Sequence, residues 1–303
     1  MSNRLSGVLC PVITPFDEDL FPDEKRLIRQ CQWLLSQNVG LAVFGTNSEA
    51  NSLSVDEKIE LLVGLVEAGI DPARMMPGTG CCALTETVRL TAHAAKLGCG
   101  GVLMLPPFYY KDVSDDGLYA SVAEVIERVG NDKLRIYLYH IPPIAQVGFS
   151  IDLIERLVTD YPKTVVGIKD SSGDWANTAA MLDRQWDDFR VFVGSESFLL
   201  ANMQNGGAGC ISATANINPA AIDRLYREWE GDDAVAMQAD LDKIRSVIAA
   251  YPMIPALKAT VAAFSGDDAW RAVRPPLVQL SDEESSKLAA SLQRKRFEMP
   301  GLS

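Results

Sequence analysis

Along this chain the hydrophobic pattern switches between two periods. Eight short runs are apolar and rich in β-branched residues: "GVLCPVITPF" from Gly7, "GLAVFGT" from Gly40, "RMMPGTG" from Arg74, "GVLMLPP" from Gly101, "RIYLYHI" from Arg135, "VVGIKD" from Val165, "RVFVGSE" from Arg190 and "AGCISATAN" from Ala208. Each reads as a buried strand. Between them lie helical patterns over 22–38, 54–68, 84–97, 115–129, 151–161, 174–187, 196–205 and 219–230. In 54–68, Ser54 and Glu57 make a capping box, and Ile59, Leu62 and Leu65 follow at helical spacing. Gly98 ends the segment 84–97.

Strand-then-helix units with continuously apolar strands predict a parallel (β/α)8 TIM barrel, an α/β fold. A doubly wound open sheet is the rival, but no GxGxxG follows the first strand, and "PGTGCC" after the third lacks that spacing. The strand pattern stops near residue 231, and helical patterns over 233–251, 254–265 and 281–297 complete the chain. The expected organisation is a barrel over 1–230 with a C-terminal helical extension over 231–303.

A barrel of this kind places its chemistry at the C-terminal ends of the strands. Those ends carry Thr46, Asn47 and Ser48 in "GTNSEA", Tyr109 and Tyr110 in "PPFYYK", Tyr139 in "YHIPP", Lys169, "GSES" and "ISATAN". An amine among hydroxyls and phenols suits nucleophilic catalysis on a carbonyl. At its ordinary pKa of roughly 10.4 a lysine is protonated at neutral pH and cannot attack. Apolar surroundings favour the neutral amine, which condenses with a ketone to an iminium that serves as an electron sink. A tyrosine beside the lysine, linked through Thr46 to a second phenol, would carry the protons. Each feature alone has a plainer account. Lys169 reads equally as a strand-end residue in solvent or paired with Asp170, the tyrosines as core or interface aromatics, and "GTNSEA" as a polar turn. Their joint occurrence at the ends of separate strands favours the chemistry.

Composition narrows the partners. The 303 residues are 48% hydrophobic and 22% charged with net charge -12, which argues against nucleic acid and against a polybasic membrane anchor. No apolar run approaches the roughly 20 residues of a membrane span, and Pro11 and Pro15 interrupt the N-terminal apolar patch, unlike a signal peptide. Six cysteines and two histidines, His93 and His140, form no ligand pattern, so no metal is expected and the thiols read as reduced small hydrophobes. A cytoplasmic protein is expected.

The ordered set "GVLCPVITPF", "GTNSEA", "LPPFYY", "YHIP", "GIKDSSGD", "VGSE" and "GCISATANI" resembles the dihydrodipicolinate synthase / N-acetylneuraminate lyase family of Schiff-base aldolases, over almost the whole chain. The resemblance implies a homotetramer (a dimer of dimers) and a 2-keto acid such as pyruvate bound as an imine on Lys169, with no separate cofactor. It implies that Tyr139 moves protons near the imine, that Thr46 relays them, and that Tyr110 is lent by a neighbouring subunit. Asn47 and Ser48 then hold the keto-acid carboxylate, Gly194 and Glu196 contact the distal part of the substrate, and Ile211 lines the pocket.

Two departures bear on the substrate. Where the family reads GTTGE or GSTGE, this chain has "GTNSE", so Ser48 adds a Cβ near the bound acid. The synthase proper carries an arginine shortly after the fifth-strand tyrosine, whereas "YHIPPIAQVGFS" has none. That argues against 4-hydroxy-tetrahydrodipicolinate synthesis and for an aldolase or dehydratase of a pyruvate-related or keto-deoxy sugar acid. His140 replaces a common asparagine and serves as a supporting hydrogen-bond group or touches substrate. A non-catalytic keto-acid sensor is the alternative from another class, and it needs no proton relay.

Overall fold

A computed structural model describes residues 4–302. Its strands are β1 (Gly7–Cys10), β2 (Gly40–Leu41), β3 (Val102–Met104), β4 (Ile136–His140), β5 (Val165–Asp170), β6 (Arg190–Val193) and β7 (Gly209–Ile211). They pair in parallel in the order β2-β1-β7-β6-β5-β4-β3. The run "RMMPGTG" forms no regular strand. It joins the two ends of this sheet through single bridges, Leu41 with Met75 and Gly78 with Leu103. The Met76 and Gly78 amides donate to Leu41 and Val43, and the Leu103 amide donates to Pro77. Pro77 has no N–H to offer, so the ladder is broken there although the barrel closes.

Helices α1 (Glu24–Ser36), α2 (Val55–Glu67), α3 (Leu84–Leu97), α4 (Asp115–Val129), α5 (Pro142–Ala145), α6 (Ile151–Asp160), α7 (Trp175–Leu182), α8 (Leu199–Gln204) and α9 (Pro219–Glu228) follow the strands. Their starts are set by side-chain caps. Asp23, Ser54, Ser114, Ser150 and Asp174 each accept an amide of the first turn, and Glu57 completes the box with Ser54. Each such cap stabilises its helix by about 1 kcal/mol. Gly98 and Gly130 stop α3 and α4 in the left-handed conformation. The helix expected over 174–187 ends at Leu182, because Gln185 and Asp188 take positive φ. The one expected over 196–205 starts as a tight 3₁₀ turn at Glu196–Phe198, where the Ser195 hydroxyl accepts the Ser197 amide. The short α5, opened by Pro142, has no counterpart among the expected helices.

After β7 the chain is helical, with α10 (Ala234–Ala249), α11 (Met253–Ser265) and α12 (Asp282–Arg294). α11 buries eight consecutive residues, Pro255 to Ala262, against its neighbours. Among the described residues no single helix is long and apolar enough to cross a membrane. All six cysteines are free; Cys10, Cys31 and Cys210 are buried as small hydrophobes, but Cys82 is exposed, contrary to expectation. Two apolar layers result. One lies between strands and helices, and the other fills the barrel interior with Leu9, Met76, Leu103, Tyr137, Phe192 and Ile211. Tyr137 closes the lower end, its hydroxyl accepting the Leu5 amide.

Candidate active site

Lys169 lies near the C-terminal end of β5 and is 2% exposed. Strict alternation along β5 would turn it outward, because Val165 packs in the outer layer. A register slip against β4 prevents this. Ile136 pairs with Val165 but Tyr137 pairs with Gly167, leaving Val166 as an extra residue. Val166 turns into the barrel and Ile168 turns out, so Lys169 points in. The residue between them must be glycine, since a Cβ on Gly167 would lie 2.5 Å from the Tyr137 ring.

Inside, Lys169 Nζ donates to the Tyr139 hydroxyl at 3.2 Å, and lies 4.3 Å from the centre of the same ring. Tyr139 is its register partner on β4. The Tyr139 and Thr46 hydroxyls are 3.0 Å apart. An amine, a phenol and an alcohol from three different strand ends thus form one continuous chain. Asp170 takes no part in it. Its buried carboxylate accepts the Ser172 amide, the Asn177 side chain and the Thr178 hydroxyl. The buried lysine–carboxylate pair among the described residues is Lys258 with Glu49, not one at Lys169.

Thr46, Asn47 and Ser48 form a single 3₁₀ turn after β2. Ser48 is fully buried; its hydroxyl accepts the Gly45 amide at 3.1 Å, and its carbonyl accepts the Thr14 hydroxyl at 2.7 Å. The left-handed residue is Glu49, at φ 56°. Ser48 itself is not among the residues with positive φ, so its Cβ carries no backbone strain. Asn47 is half-buried in the same turn.

The other sequence-derived candidates separate by place. Ile211, at the end of β7, packs inside the barrel with Tyr139 and Phe192. Gly194 donates its amide to Asp170 O at 2.7 Å, and a Cβ there would lie 2.0 Å from Ser171 Oγ, so it permits a close approach of β6 to β5. Glu196 is 1% exposed, and its carboxylate is held by Ser212, Thr214 and Arg245. His140 is turned away from Lys169; its Nδ1 accepts the Phe149 amide at 3.0 Å, which favours the supporting role. Burial pulls the His140 pKa down against the opposing charge of Asp170, so the imidazole is kept neutral. Tyr110 is 72% exposed beside Tyr109, with ring centres 5.4 Å apart, and within one chain it stands outside the Lys169–Tyr139–Thr46 chain.

The sequence reading missed Ser212, Thr214 and Arg245 around Glu196. The first and second sit at alternate positions in "ISATAN", which strand-end logic had reached. Arg245 comes from α10, where no local pattern marks it. Among the described residues no three histidine, cysteine, aspartate or glutamate side chains are grouped to hold a metal ion.

A parallel barrel with a buried lysine hydrogen-bonded to a phenol is a setting that suits a class I lyase of keto acids. The comparisons with known proteins agree. The model of the dihydrodipicolinate synthetase family matches residues 4–295, and the chain belongs to that family. An uncharacterized DapA-like lyase of Chloroflexus aurantiacus is 32% identical over 291 residues, covering 95% of this chain and 96% of that protein. The crystal structure of dihydrodipicolinate synthase from Agrobacterium tumefaciens superposes with TM-score 0.88 at 29% identity, over 96% and 99% of the two chains. YagE, a prophage protein of E. coli K12 solved in complex with pyruvate, shares the fold with TM-score 0.89 at 24% identity, over 97% and 99%.

Proposed function

We propose that Lys169 forms an imine with a 2-keto acid, pyruvate-related or a keto-deoxy sugar acid, and that the enzyme cleaves, condenses or dehydrates it. The observation that carries this reading is the continuous Nζ–phenol–hydroxyl chain of Lys169, Tyr139 and Thr46. The neutral amine adds to the keto carbon, water leaves the carbinolamine, and the iminium accepts the electron pair released at the neighbouring carbon. Tyr139 gives a proton to the departing hydroxyl and takes one during addition, and Thr46 passes it on. Tyr110 of a second copy in a homotetramer completes the relay, which explains why it is so exposed here. The keto-acid carboxylate rests on Asn47 and the amides of its turn. No separate cofactor takes part, since the imine forms on the protein, and the setting is cytoplasmic.

The loop after β4 supports the choice against lysine-pathway synthesis. Where a carboxylate-binding arginine would serve the synthase, residues 141–149 carry no cation, and Ile144 is 63% exposed. A sensor on the same fold would have no use for a proton relay next to the amine.

Reduction with borohydride in the presence of pyruvate, followed by peptide mass mapping, tests the imine. The expected product is a stable adduct on the peptide containing Lys169; an unmodified Lys169 peptide refutes the reading. A screen of keto-deoxy sugar acids, read by pyruvate release, then fixes the substrate.

A further inference from the structure

Two lysines are buried near the barrel mouth, and the mechanism uses only one. Lys258 on α11 is 0% exposed, as is the side chain of its partner, Glu49. Glu49 immediately follows the Thr46–Ser48 turn and is the residue in the left-handed conformation. Non-glycine residues hold such a backbone only where the surroundings fix it. Here the fixing groups are on the page. One carboxylate oxygen meets the Lys258 ammonium, and the other accepts the Arg274 amide at 3.0 Å. Lys258 also donates to the Ala272 carbonyl at 2.6 Å and sits 4.4 Å from the Phe16 ring centre.

Arg274 adds a second tie from the same C-terminal segment. Its guanidinium donates to Leu20 O at 2.8 Å and Ser52 O at 2.7 Å, and pairs with Glu57. The turn is therefore gripped on its downstream side by residues more than two hundred positions away. A buried ion pair adds little stability over an apolar pair of the same shape, so its physical advantage here is direction. It fixes where one carboxylate, and the backbone attached to it, must lie.

We propose that Lys258 is a positioning residue of the keto-acid site: by holding the Glu49 carboxylate it sets the backbone step after Ser48, and thereby the amides of the turn on which the keto-acid carboxylate rests. This rests on the reading of the turn as the keto-acid carboxylate site. Through it the C-terminal helical region, which contributes no group to the chemistry, controls keto-acid affinity.

The test compares the whole protein with Lys258→Met and with Lys258→Met/Glu49→Leu, which leaves no unpaired charge and so remains folded if the single variant does not. Three quantities are read: hydrogen exchange of the peptide spanning residues 45–52, KM against kcat with the keto acid found in the screen, and borohydride trapping on Lys169 at saturating pyruvate. The expected result is exchange at least tenfold faster in that peptide and KM raised about tenfold or more. Trapping at saturation and kcat should change less than threefold. The double variant should recover thermal stability but not the KM. Unchanged exchange and KM in a folded variant overturn the proposal, as does a loss of kcat at unchanged KM. Failure of trapping in the wild-type protein instead refutes the imine reading, and the exchange measurement still decides whether Lys258 holds the turn.

Discussion

Lys169 and Lys258 are a natural pair for comparison. Both are almost wholly removed from water, and each ammonium nitrogen lies a little over 4 Å from the centre of an aromatic ring. Their other partners differ. Lys258 has a carboxylate and a carbonyl, so its charge is matched and its proton has a fixed task. Among the described residues the polar partner of Lys169 is a phenol, itself tied to an alcohol. A buried amine with a carboxylate partner is an anchor, whereas one with a phenol partner is free to exchange its proton and bond to carbon. Burial alone does not separate the two roles; the chemical nature of the group facing the amine, phenol or carboxylate, does.

The comparison is sharpest where an amine is removed. Lys169→Ala should reduce turnover by roughly 10³-fold or more and abolish the borohydride adduct, with far-ultraviolet circular dichroism unchanged. Substantial residual activity would break the distinction at its root. Tyr139→Phe removes the phenolic proton but keeps the ring, and should lower kcat by about 10²–10⁴-fold, the range for a general acid–base group. Thr46→Val, one step further from the amine, should cost less than Tyr139→Phe, as measured by kcat under the same conditions.

For Lys258 the sharper test is pH. Burial lowers its pKa from 10.5 to about 8, with Glu49 opposing. Between about pH 8 and 10.5 the unfolded chain therefore binds more protons than the folded one, and stability rises with pH. Chemical denaturation of the wild type, relative to Lys258→Met/Glu49→Gln, should show this as a gain on the order of 1–3 kcal/mol across that window. A flat difference would mean that the ammonium is better solvated than its burial implies. His140 gives the smallest effect. Its pKa is lowered by burial, so below about pH 6.5 the unfolded chain takes up the proton first and acid costs stability. His140→Asn should remove that loss, under ~1 kcal/mol, in melting curves between pH 5 and 6.5.

Much of this was legible in the chain, and the reason is local. The strand–helix order, the cap at Ser54, the stop at Gly98 and the lysine at the end of "VVGIKD" depend on residues a few positions apart. The ring closure by Met75–Thr79 was anticipated but not its broken ladder, which Pro77 causes. Alternation puts Lys169 and Asp170 on opposite faces of β5, but which of them faces the barrel was left open by sequence, because the slip at Val166 that decides it depends on how β5 meets β4. Arg245 and Lys258 stayed silent for a related reason. Each acts on a group far away in sequence, 49 positions for Arg245 and Glu196, and helical periodicity says only that such a residue faces inward.

The slip at Val166 also sets how tolerant this enzyme is of change. The proposed catalysis depends on phase, in the sense that one uncounted residue decides whether the amine faces the barrel axis or the surrounding helices. Substitutions in β5 that preserve chain length alter packing by degrees, but loss or gain of a single residue between Val165 and Lys169 would exchange inner and outer faces at once. Such a lineage would keep a folded barrel and lose its inward-facing amine in one step, so length variation should be far rarer in this segment than in the loops on either side.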